Sequence, residues 1–125
     1  MQLPSMTILV VDDNAQVCSL IARALRGGGY NVLEAHGGLQ ALSMLPTMPE
    51  LQLLVTDVVM PGMNGFDLAS HMVAACNVPV LFVSAYAHSG TDIPGPLLQK
   101  PFTPEALLDL VARLLALAHP AKKTA

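Results

Sequence analysis

The sequence predicts an α/β fold: a doubly wound, five-stranded parallel sheet with helices on both faces. Two observations carry this prediction. Short apolar runs alternate with segments of helical periodicity, which is the pattern of repeated strand–helix units. The chain has 125 residues, of which 53% are hydrophobic and 12% are charged, and this composition suits one domain whose central strands are covered on both faces. The right-handed crossover rule then favours the doubly wound arrangement.

Two strand–helix units open the chain. The apolar, β-branched run at 6–12 predicts the first strand. Asp13 is a plausible N-cap of the first helix, with Gln16 completing a capping box, and three glycines end that helix. The next strand is expected at 30–35 and the next helix at 38–45, where prolines close it. The inner stripe of the first helix is Val17, Leu20, Ile21, Ala24 and Leu25.

The third strand, 51–57, leads into the turn-rich loop DVVMPGMNG, after which Asn64 caps the third helix. The fourth strand is expected at 78–84. After it the apolar period fails, so the helix between the fourth and fifth strands is predicted to be short or missing. The inner stripe of the third helix is Phe66, Ala69, Met72, Val73 and Cys76.

A short fifth strand, 96–100, precedes the last helix, which Thr103 caps and Pro104 starts. The predicted inner stripe of this helix is Leu107, Leu110, Val111, Leu114 and Ala118. The helix also has a second apolar side, formed by Leu108, Leu115 and Leu117. That side either packs against the loop that replaces the missing helix or forms a surface for a weak homodimer or another partner.

These elements define one domain at 6–118, with an N-terminal extension at 1–5 and a tail at 119–125 that we expect to be disordered. We expect no output domain, since nothing folded can follow the last helix. No apolar stretch is uninterrupted enough for a membrane span, and no basic region of a signal peptide is present, so a cytoplasmic location is expected. The net charge of −3 argues against nucleic-acid binding.

The cysteines and histidines show no recognisable metal site. Cys18 and Cys76 lie in helical patterns without ligand spacing, and we interpret them as buried, reduced thiols. The histidines also lack ligand spacing and are interpreted as surface residues; they are His36, His71, His88 and His119.

Polar side chains lie where four of the five strands end. Asp12 and Asp13 close the first strand, Asp57 the third, Ser84 the fourth and Lys100 the fifth. Taken singly, each residue could be a helix cap, a turn residue or a strand terminator. Because the carboxyl ends of parallel strands share one edge, the set together predicts a ligand site at that edge.

These residues lie in segments that resemble the receiver domain of two-component response regulators. The matching segments are VVDDN at 10–14, DVVMPGMNG at 57–65, VSAYA at 83–87 and KPF at 100–102, in the order of that family. The long loop fits D-x-x-M-P-x-M-x-G without a mismatch, and the resemblance covers about residues 6–118. The short loops are most similar to receivers of hybrid histidine kinases and stand-alone relay regulators. The resemblance implies the strand order 2-1-3-4-5.

The resemblance also implies a Mg²⁺ site. Asp13 and Asp57 are expected to bind Mg²⁺ directly, together with the backbone carbonyl of Val59, and Asp12 through water. In the implied strand order, the first and third strands are neighbours about 4.8 Å apart. The three carboxylates would therefore repel one another, and a hard divalent cation with oxygen ligands relieves that repulsion.

The implied reaction moves a phosphoryl group onto Asp57 from the phosphohistidine of a histidine kinase or a histidine phosphotransfer protein. Ser84 and Lys100 are expected to contact phosphoryl oxygens, and the Lys100–Pro101 peptide bond to be cis. Where the family commonly has an aromatic switch residue, this chain has Leu97. Tyr86 either gates phosphate access or is an exposed loop tyrosine.

Three function classes remain at this point. The favoured one is a phospho-accepting receiver, which is not an enzyme acting on external substrates and which signals to a downstream protein or passes the phosphoryl group on. A pseudo-receiver that docks partners without phosphorylation is the alternative. A small phosphatase or nucleotide-binding enzyme fits poorly, because the chain lacks a P-loop, a G-x-G-x-x-G loop and a second carboxylate two residues after Asp57.

Overall fold

The computed structural model describes residues 6–47, 50–85 and 93–118. Strands and helices alternate up to the fourth strand, and a fifth strand precedes the last helix. The strands are β1 (Thr7–Val11), β2 (Asn31–Ala35), β3 (Leu53–Asp57), β4 (Val80–Ser84) and β5 (Leu97–Gln99). The α-helices are α1 (Ala15–Gly27), α2 (Gly38–Met44), α3 (Gly65–Cys76) and α4 (Pro104–Ala118), with a 3₁₀ helix at Leu45–Thr47.

The five strands form one parallel sheet in the order β2-β1-β3-β4-β5. This confirms the predicted fold class and strand order. The chain moves outward in opposite directions from β1 and β3, which pair with each other at the centre of the sheet. In open α/β sheets, ligands bind outside the carboxyl ends of the strands at such a reversal point.

Helices cover both faces of the sheet, and β1 contributes to both cores. Ile8 and Val10 pack in the cluster beneath α1 and α4, whereas Leu9 and Val11 pack in the cluster beneath α2 and α3. All five residues of β1 are buried. A strand buried on both faces has no polar side, which explains why the sequence there is a continuous apolar run.

The N-cap of α1 is Asn14, so the prediction that Asp13 caps this helix is wrong. The Asn14 side-chain oxygen accepts hydrogen bonds from the backbone N–H groups of Gln16, at 3.0 Å, and Val17, at 3.2 Å. Asn14 is among the best capping residues, and it lies one position further along the chain than the predicted cap. Asp13 is consequently free of a capping role and remains exposed beside Asp12.

The helices bury stripes that differ from the predicted ones. Leu20 in α1 is 62% exposed and Val73 in α3 is 42% exposed, and Cys76 and Ala118 are also exposed. Two sets of apolar residues, shifted by one position along the helix, have the same helical spacing. Packing against the sheet determines which set is buried. The buried stripes are Cys18, Ile21, Ala22 and Leu25 in α1; Gly65, Leu68, Ala69 and Met72 in α3; and Leu107, Val111 and Leu115 in α4.

The second apolar side of the last helix is largely covered within the domain. Leu115 is buried, and Leu108 packs against the same core cluster. A Cβ placed on Gly28, just after α1, would lie only 2.6 Å from the Leu108 side chain. The structure therefore places two of the three residues in or against the core, whereas Leu117, 81% exposed, faces solvent.

Within the described part of the chain, four α-helices are present, and residues 93–96 before β5 are not helical. This agrees with a short or missing helix between β4 and β5. Tyr86, the extension at 1–5 and the tail at 119–125 lie outside the described residues. None of the helices in the described ranges has the length and apolar character needed to cross a bilayer.

Candidate functional site

Four strand ends meet at one edge of the sheet and bring the predicted site residues together. Asp12 directly follows β1, Asp57 ends β3, Ser84 ends β4, and Lys100 directly follows β5. Strand pairing fixes these positions, because β3 lies between β1 and β4 in the sheet order. The carboxyl edge is therefore the point where residues distant in sequence become neighbours.

Three carboxylates crowd this edge. One side-chain oxygen from each of Asp12, Asp13 and Asp57 lies within 4.8 Å of the others. Asp12 is 1% exposed, Asp57 is partly buried and Asp13 is exposed, so the cluster opens from the protein interior to solvent. An all-oxygen donor set of this kind fits a hard divalent cation such as Mg²⁺.

Lys100 supplies the positive charge of the site. Its ammonium nitrogen lies 2.9 Å from Asp12 Oδ2 and 3.6 Å from Asp57 Oδ2. The Lys100 backbone N–H donates to the Ser84 carbonyl at 2.7 Å, which fixes the base of the side chain. The long side chain therefore spans the gap from β5 to the central strands.

The Asp57 carboxylate is held in one orientation by its neighbours in the chain. Its Oδ1 accepts a hydrogen bond from the Val58 N–H at 2.9 Å, which leaves Oδ2 facing Lys100. The hydroxyl of Thr56, a fully buried residue, donates to the Asp57 backbone carbonyl at 2.9 Å. Both the side chain and the backbone of Asp57 are thus constrained before any ligand arrives.

The surroundings of Asp57 oppose its negative charge. Burial raises the pKa of the Asp57 carboxyl above its ordinary value, and the negative charges of Asp12 and Asp13 act in the same direction. The Lys100 ammonium and the Val58 N–H lower this pKa but do not cancel the effect. The raised pKa is thus caused first by burial and then by the neighbouring carboxylates, and a bound cation would oppose both effects.

The loop after β3 turns back sharply onto Asp57. Gly62 has a φ of 76°, and the Gly65 N–H donates to the Val58 carbonyl at 2.8 Å. A Cβ on Gly65 would lie 2.1 Å from the Asp57 carbonyl oxygen, so only glycine allows α3 to start this close to the site. Val59, in the same loop, is 54% exposed.

Two further predicted positions can be located. Leu97 on β5 is partly buried and packs with Val58, Ala69 and Phe82. The Lys100–Pro101 peptide bond is cis, the conformation that the sequence resemblance implied.

Sequence reasoning missed three residues that shape the site. Asn14 caps α1, and its backbone N–H donates to Asp12 Oδ1 at 2.9 Å. Thr56 and Gly65 fix the backbone of Asp57. Gly65 was detectable as the final glycine of DVVMPGMNG, and Asn14 as a good cap directly after the paired aspartates. Thr56, inside an apolar strand, gave no comparable indication.

Comparison with known proteins identifies the family. Residues 8–112 match the family model of the response regulator receiver domain. The DNA-binding response regulator MtrA of Mycobacterium tuberculosis is 35% identical over 119 residues, an alignment that covers 87% of this chain and 49% of MtrA. The chain spans about half the length of the curated relatives it matches.

Solved structures show the same fold. The receiver domain of the hybrid histidine kinase CckA is 34% identical, with a TM-score of 0.72, and the match covers 87% of this chain and 98% of that domain. The response regulator TrrA of Thermotoga maritima, solved in complex with Mg²⁺ and a beryllium fluoride, is 26% identical, with a TM-score of 0.78 and coverages of 87% and 98%. This chain belongs to the response regulator receiver domain family of two-component signalling proteins.

Proposed function

We propose that this chain accepts a phosphoryl group on Asp57 from a partner phosphohistidine, with Mg²⁺ bound at the carboxylate cluster. The observation that carries the proposal is the convergence of Asp12, Asp13 and Asp57 within 4.8 Å, with Lys100 3.6 Å from Asp57. In phosphoryl transfer, negative charge spreads over three equatorial oxygens. A bound cation and the Lys100 ammonium would stabilise that charge.

The carboxylates fit Mg²⁺ by number and by type. Asp13 and Asp57 are proposed as direct ligands, with the Val59 carbonyl as a third and Asp12 acting through water. When bound, Mg²⁺ would neutralise charge on these carboxylates and on the incoming phosphoryl oxygens. The raised pKa of Asp57, caused by burial and by the other carboxylates, supports a cation at this position.

Asp57 is proposed as the nucleophile. Its carboxylate oxygen would form a bond to phosphorus while the bond between phosphorus and the donor imidazole nitrogen breaks, and that nitrogen would keep the bonding electrons. The Val58 N–H fixes the orientation of the carboxylate before the reaction. Positioning of this kind is the main contribution that a protein makes to phosphoryl transfer.

Lys100 and Ser84 are proposed to register the product. The Lys100 ammonium, now shared by Asp12 and Asp57, would turn to the phosphoryl oxygens, and the buried Ser84 hydroxyl would bond another of them. The Lys100 N–H donates to the Ser84 carbonyl, so the movements of Lys100 and Ser84 would both act at the carboxyl ends of β4 and β5. Leu97, which replaces the usual aromatic residue, lies on β5.

The proposed partners follow from the family. The phosphodonor is a histidine kinase or a histidine phosphotransfer protein, and the output is contact with a downstream protein or onward transfer of the phosphoryl group. Although MtrA is named as DNA-binding, the net charge of −3 on this chain does not favour electrostatic attraction to nucleic acid. The absence of direct DNA binding remains a prediction for this chain.

Beryllofluoride, a mimic of the phosphoryl group, tests the proposal directly. With Mg²⁺ present, beryllofluoride should raise the melting temperature of the wild-type chain beyond the effect of Mg²⁺ alone. The Asp57→Asn variant should show no added effect, and omission of Mg²⁺ should abolish it in the wild type. A wild type that binds a partner kinase but never responds to beryllofluoride would instead be a docking module without phosphorylation.

A further inference from the structure

A second group of metal-ligating side chains lies on the other side of β1 from the carboxylate of Asp57. It consists of Cys18 on α1, Glu34 on β2 and His36 directly after β2. One ligand atom from each lies within 4.8 Å of the others. Cys18 is buried, Glu34 is partly buried and His36 is exposed, so the group leads from solvent into the core.

The surroundings of the Cys18 thiol are electronegative. Its sulfur lies 3.6 Å from the Val10 carbonyl oxygen and 3.7 Å from the Ala35 carbonyl oxygen. Burial, together with the negative charges of Glu34 and Asp12, raises the pKa of the Cys18 thiol to about 11. The two carbonyl oxygens and the Glu34 carboxylate place negative charge around the sulfur, and a bound cation would offset that charge.

From this arrangement we propose that Cys18, Glu34 and His36 form a binding site for Zn²⁺ or a chemically similar transition-metal ion. Sulfur, imidazole and carboxylate are the ligand types that Zn²⁺ prefers, whereas Mg²⁺ prefers oxygen alone. Three protein ligands leave the fourth position of a tetrahedral ion to water. The site is thereby distinct in chemistry from the carboxylate cluster around Asp57.

Binding requires only local changes. The Cys18 thiol releases its proton to solvent as the sulfur–metal bond forms, and its weak contacts to the two carbonyls are replaced. Glu34 gives up its ion pair with Arg26, at 3.0 Å. Arg26 still donates to the Val32 carbonyl at 2.9 Å, so it keeps a partner when Glu34 turns to the metal.

The linear sequence does not show this site because its ligands lack regular spacing. Cys18 and His36 are separated by the rest of α1 and all of β2. The pairing of β1 with β2, which places Val10 opposite Glu34, brings the carboxylate beneath the helix that carries Cys18. The fold, rather than a local motif, therefore assembles the ligands.

Cobalt absorption is the test, because Co²⁺ occupies Zn²⁺ sites and its thiolate charge-transfer band reports a bond to sulfur. The complete chain, reduced, free of an affinity tag and saturated with Mg²⁺, is titrated with Co²⁺. We expect one equivalent to produce the band and Zn²⁺ to remove it. His36→Ala and Glu34→Gln should each bind at least about tenfold more weakly, since even the loss of an outer-shell partner costs that much.

Matched controls separate this site from other groups. Cys76→Ser, His71→Ala and Asp57→Asn should leave the band and the affinity unchanged, while Cys18→Ala should abolish the band. If Cys18→Ala does not fold, the variants His36→Ala and Glu34→Gln still test the proposal, because His36 is exposed and Glu34 is only partly buried. The proposal is overturned if the folded wild type shows no thiolate band, or if His36→Ala and Glu34→Gln both bind Co²⁺ as tightly as the wild type.

Discussion

The ammonium of Lys100 lies 2.9 Å from the carboxylate of Asp12, although their strands, β5 and β1, are separated in the sheet by β3 and β4. Asp12 is 1% exposed and Lys100 is mostly buried. This pair ties the edge of the sheet to its centre across the site that we propose for phosphorylation. Lys100 is therefore already paired with two carboxylates, and a phosphoryl group on Asp57 would have to compete for it.

Replacing Lys100 with Met should destabilise the metal-free protein by about 2 kcal/mol, because the buried Asp12 carboxylate loses its charged partner. The double variant Lys100→Met/Asp12→Asn should lose less stability than the two single variants lose in sum, since the two residues are coupled. Urea unfolding gives these values. As a control, Arg113→Met removes the exposed ion pair that Arg113 forms with Asp109 one helical turn away, and it should cost no more than about 1 kcal/mol. Strict additivity of the Lys100 and Asp12 changes would contradict the coupling.

The raised pKa of Asp57 predicts that Asp57→Asn stabilises the metal-free protein at neutral pH. The folded protein binds the Asp57 proton more tightly than the unfolded chain does, so the contribution of Asp57 to stability falls as pH rises through its raised pKa. The advantage of Asp57→Asn should shrink as pH falls and vanish below the ordinary value of 3.8. Denaturation in EDTA at several pH values measures this difference.

Asp67→Asn is the control for that prediction. Asp67 is an exposed residue in the first turn of α3, where a negative charge favours the helix. Its replacement should therefore bring no gain at neutral pH. Mg²⁺ should also reduce the advantage of Asp57→Asn, because the ion stabilises only the wild-type site. An advantage for Asp57→Asn that is the same at every pH would refute the electrostatic explanation.

Gly65→Ala should damage both stability and the site. The new methyl group would meet the Asp57 carbonyl oxygen at 2.1 Å, and overpacking of this kind costs about 1–3 kcal/mol. Relief of the clash must move either α3 or the Asp57 backbone, so Mg²⁺ affinity should fall as well. Unfolding and Mg²⁺ titration of the folded variant measure the two effects.

Gly27→Ala provides the opposite case in the same chain. Gly27 is the last residue of α1, and nothing lies within 4 Å of an added Cβ. Alanine there should leave Mg²⁺ affinity unchanged and stabilise the helix by about 0.5–1 kcal/mol. Equal effects of the two substitutions on Mg²⁺ affinity would show that close approach at Gly65 does not position Asp57.

Asn14→Ala and Asp13→Ala should separate helix capping from metal binding. Loss of the Asn14 cap should cost about 1 kcal/mol of stability. Asp13→Ala removes a charge from the carboxylate cluster and no cap, so it should weaken Mg²⁺ binding without a comparable loss of stability in EDTA. If Asp13→Ala loses more metal-free stability than Asn14→Ala does, Asp13 rather than Asn14 would be the residue that caps α1.

The sheet and its polar edge were predictable because they depend on short-range patterns. Four of the five strands are apolar runs that end at or directly before a polar residue, and parallel pairing sends these ends to one edge. The resemblance supplied the strand order, and the structure confirmed it. The sequence alone therefore predicts that Asp12, Asp57 and Lys100 lie near one another.

The remaining features depend on packing that the sequence leaves open. Two stripes fit the helical period in α3, and only contact with the sheet places Leu68 inside and Val73 outside. The ion-pair partner of Lys100 also depends on tertiary structure, because the side chain passes β4 and β3 to reach Asp12. The group of Cys18, Glu34 and His36 arises in the same way, from the pairing of strands.

Intact-mass measurement after exposure to a small phosphodonor tests the central claim most directly. Wild-type protein incubated with phosphoramidate and Mg²⁺ should gain the mass of one phosphoryl group, and with EDTA in place of Mg²⁺ it should gain none. Asp57→Asn should gain none in either condition, whereas Asp67→Asn should behave as the wild type does. A wild type that stays unmodified with Mg²⁺, or an Asp57→Asn variant that gains the phosphoryl group as the wild type does, would contradict the assignment of Asp57 as the phosphoacceptor.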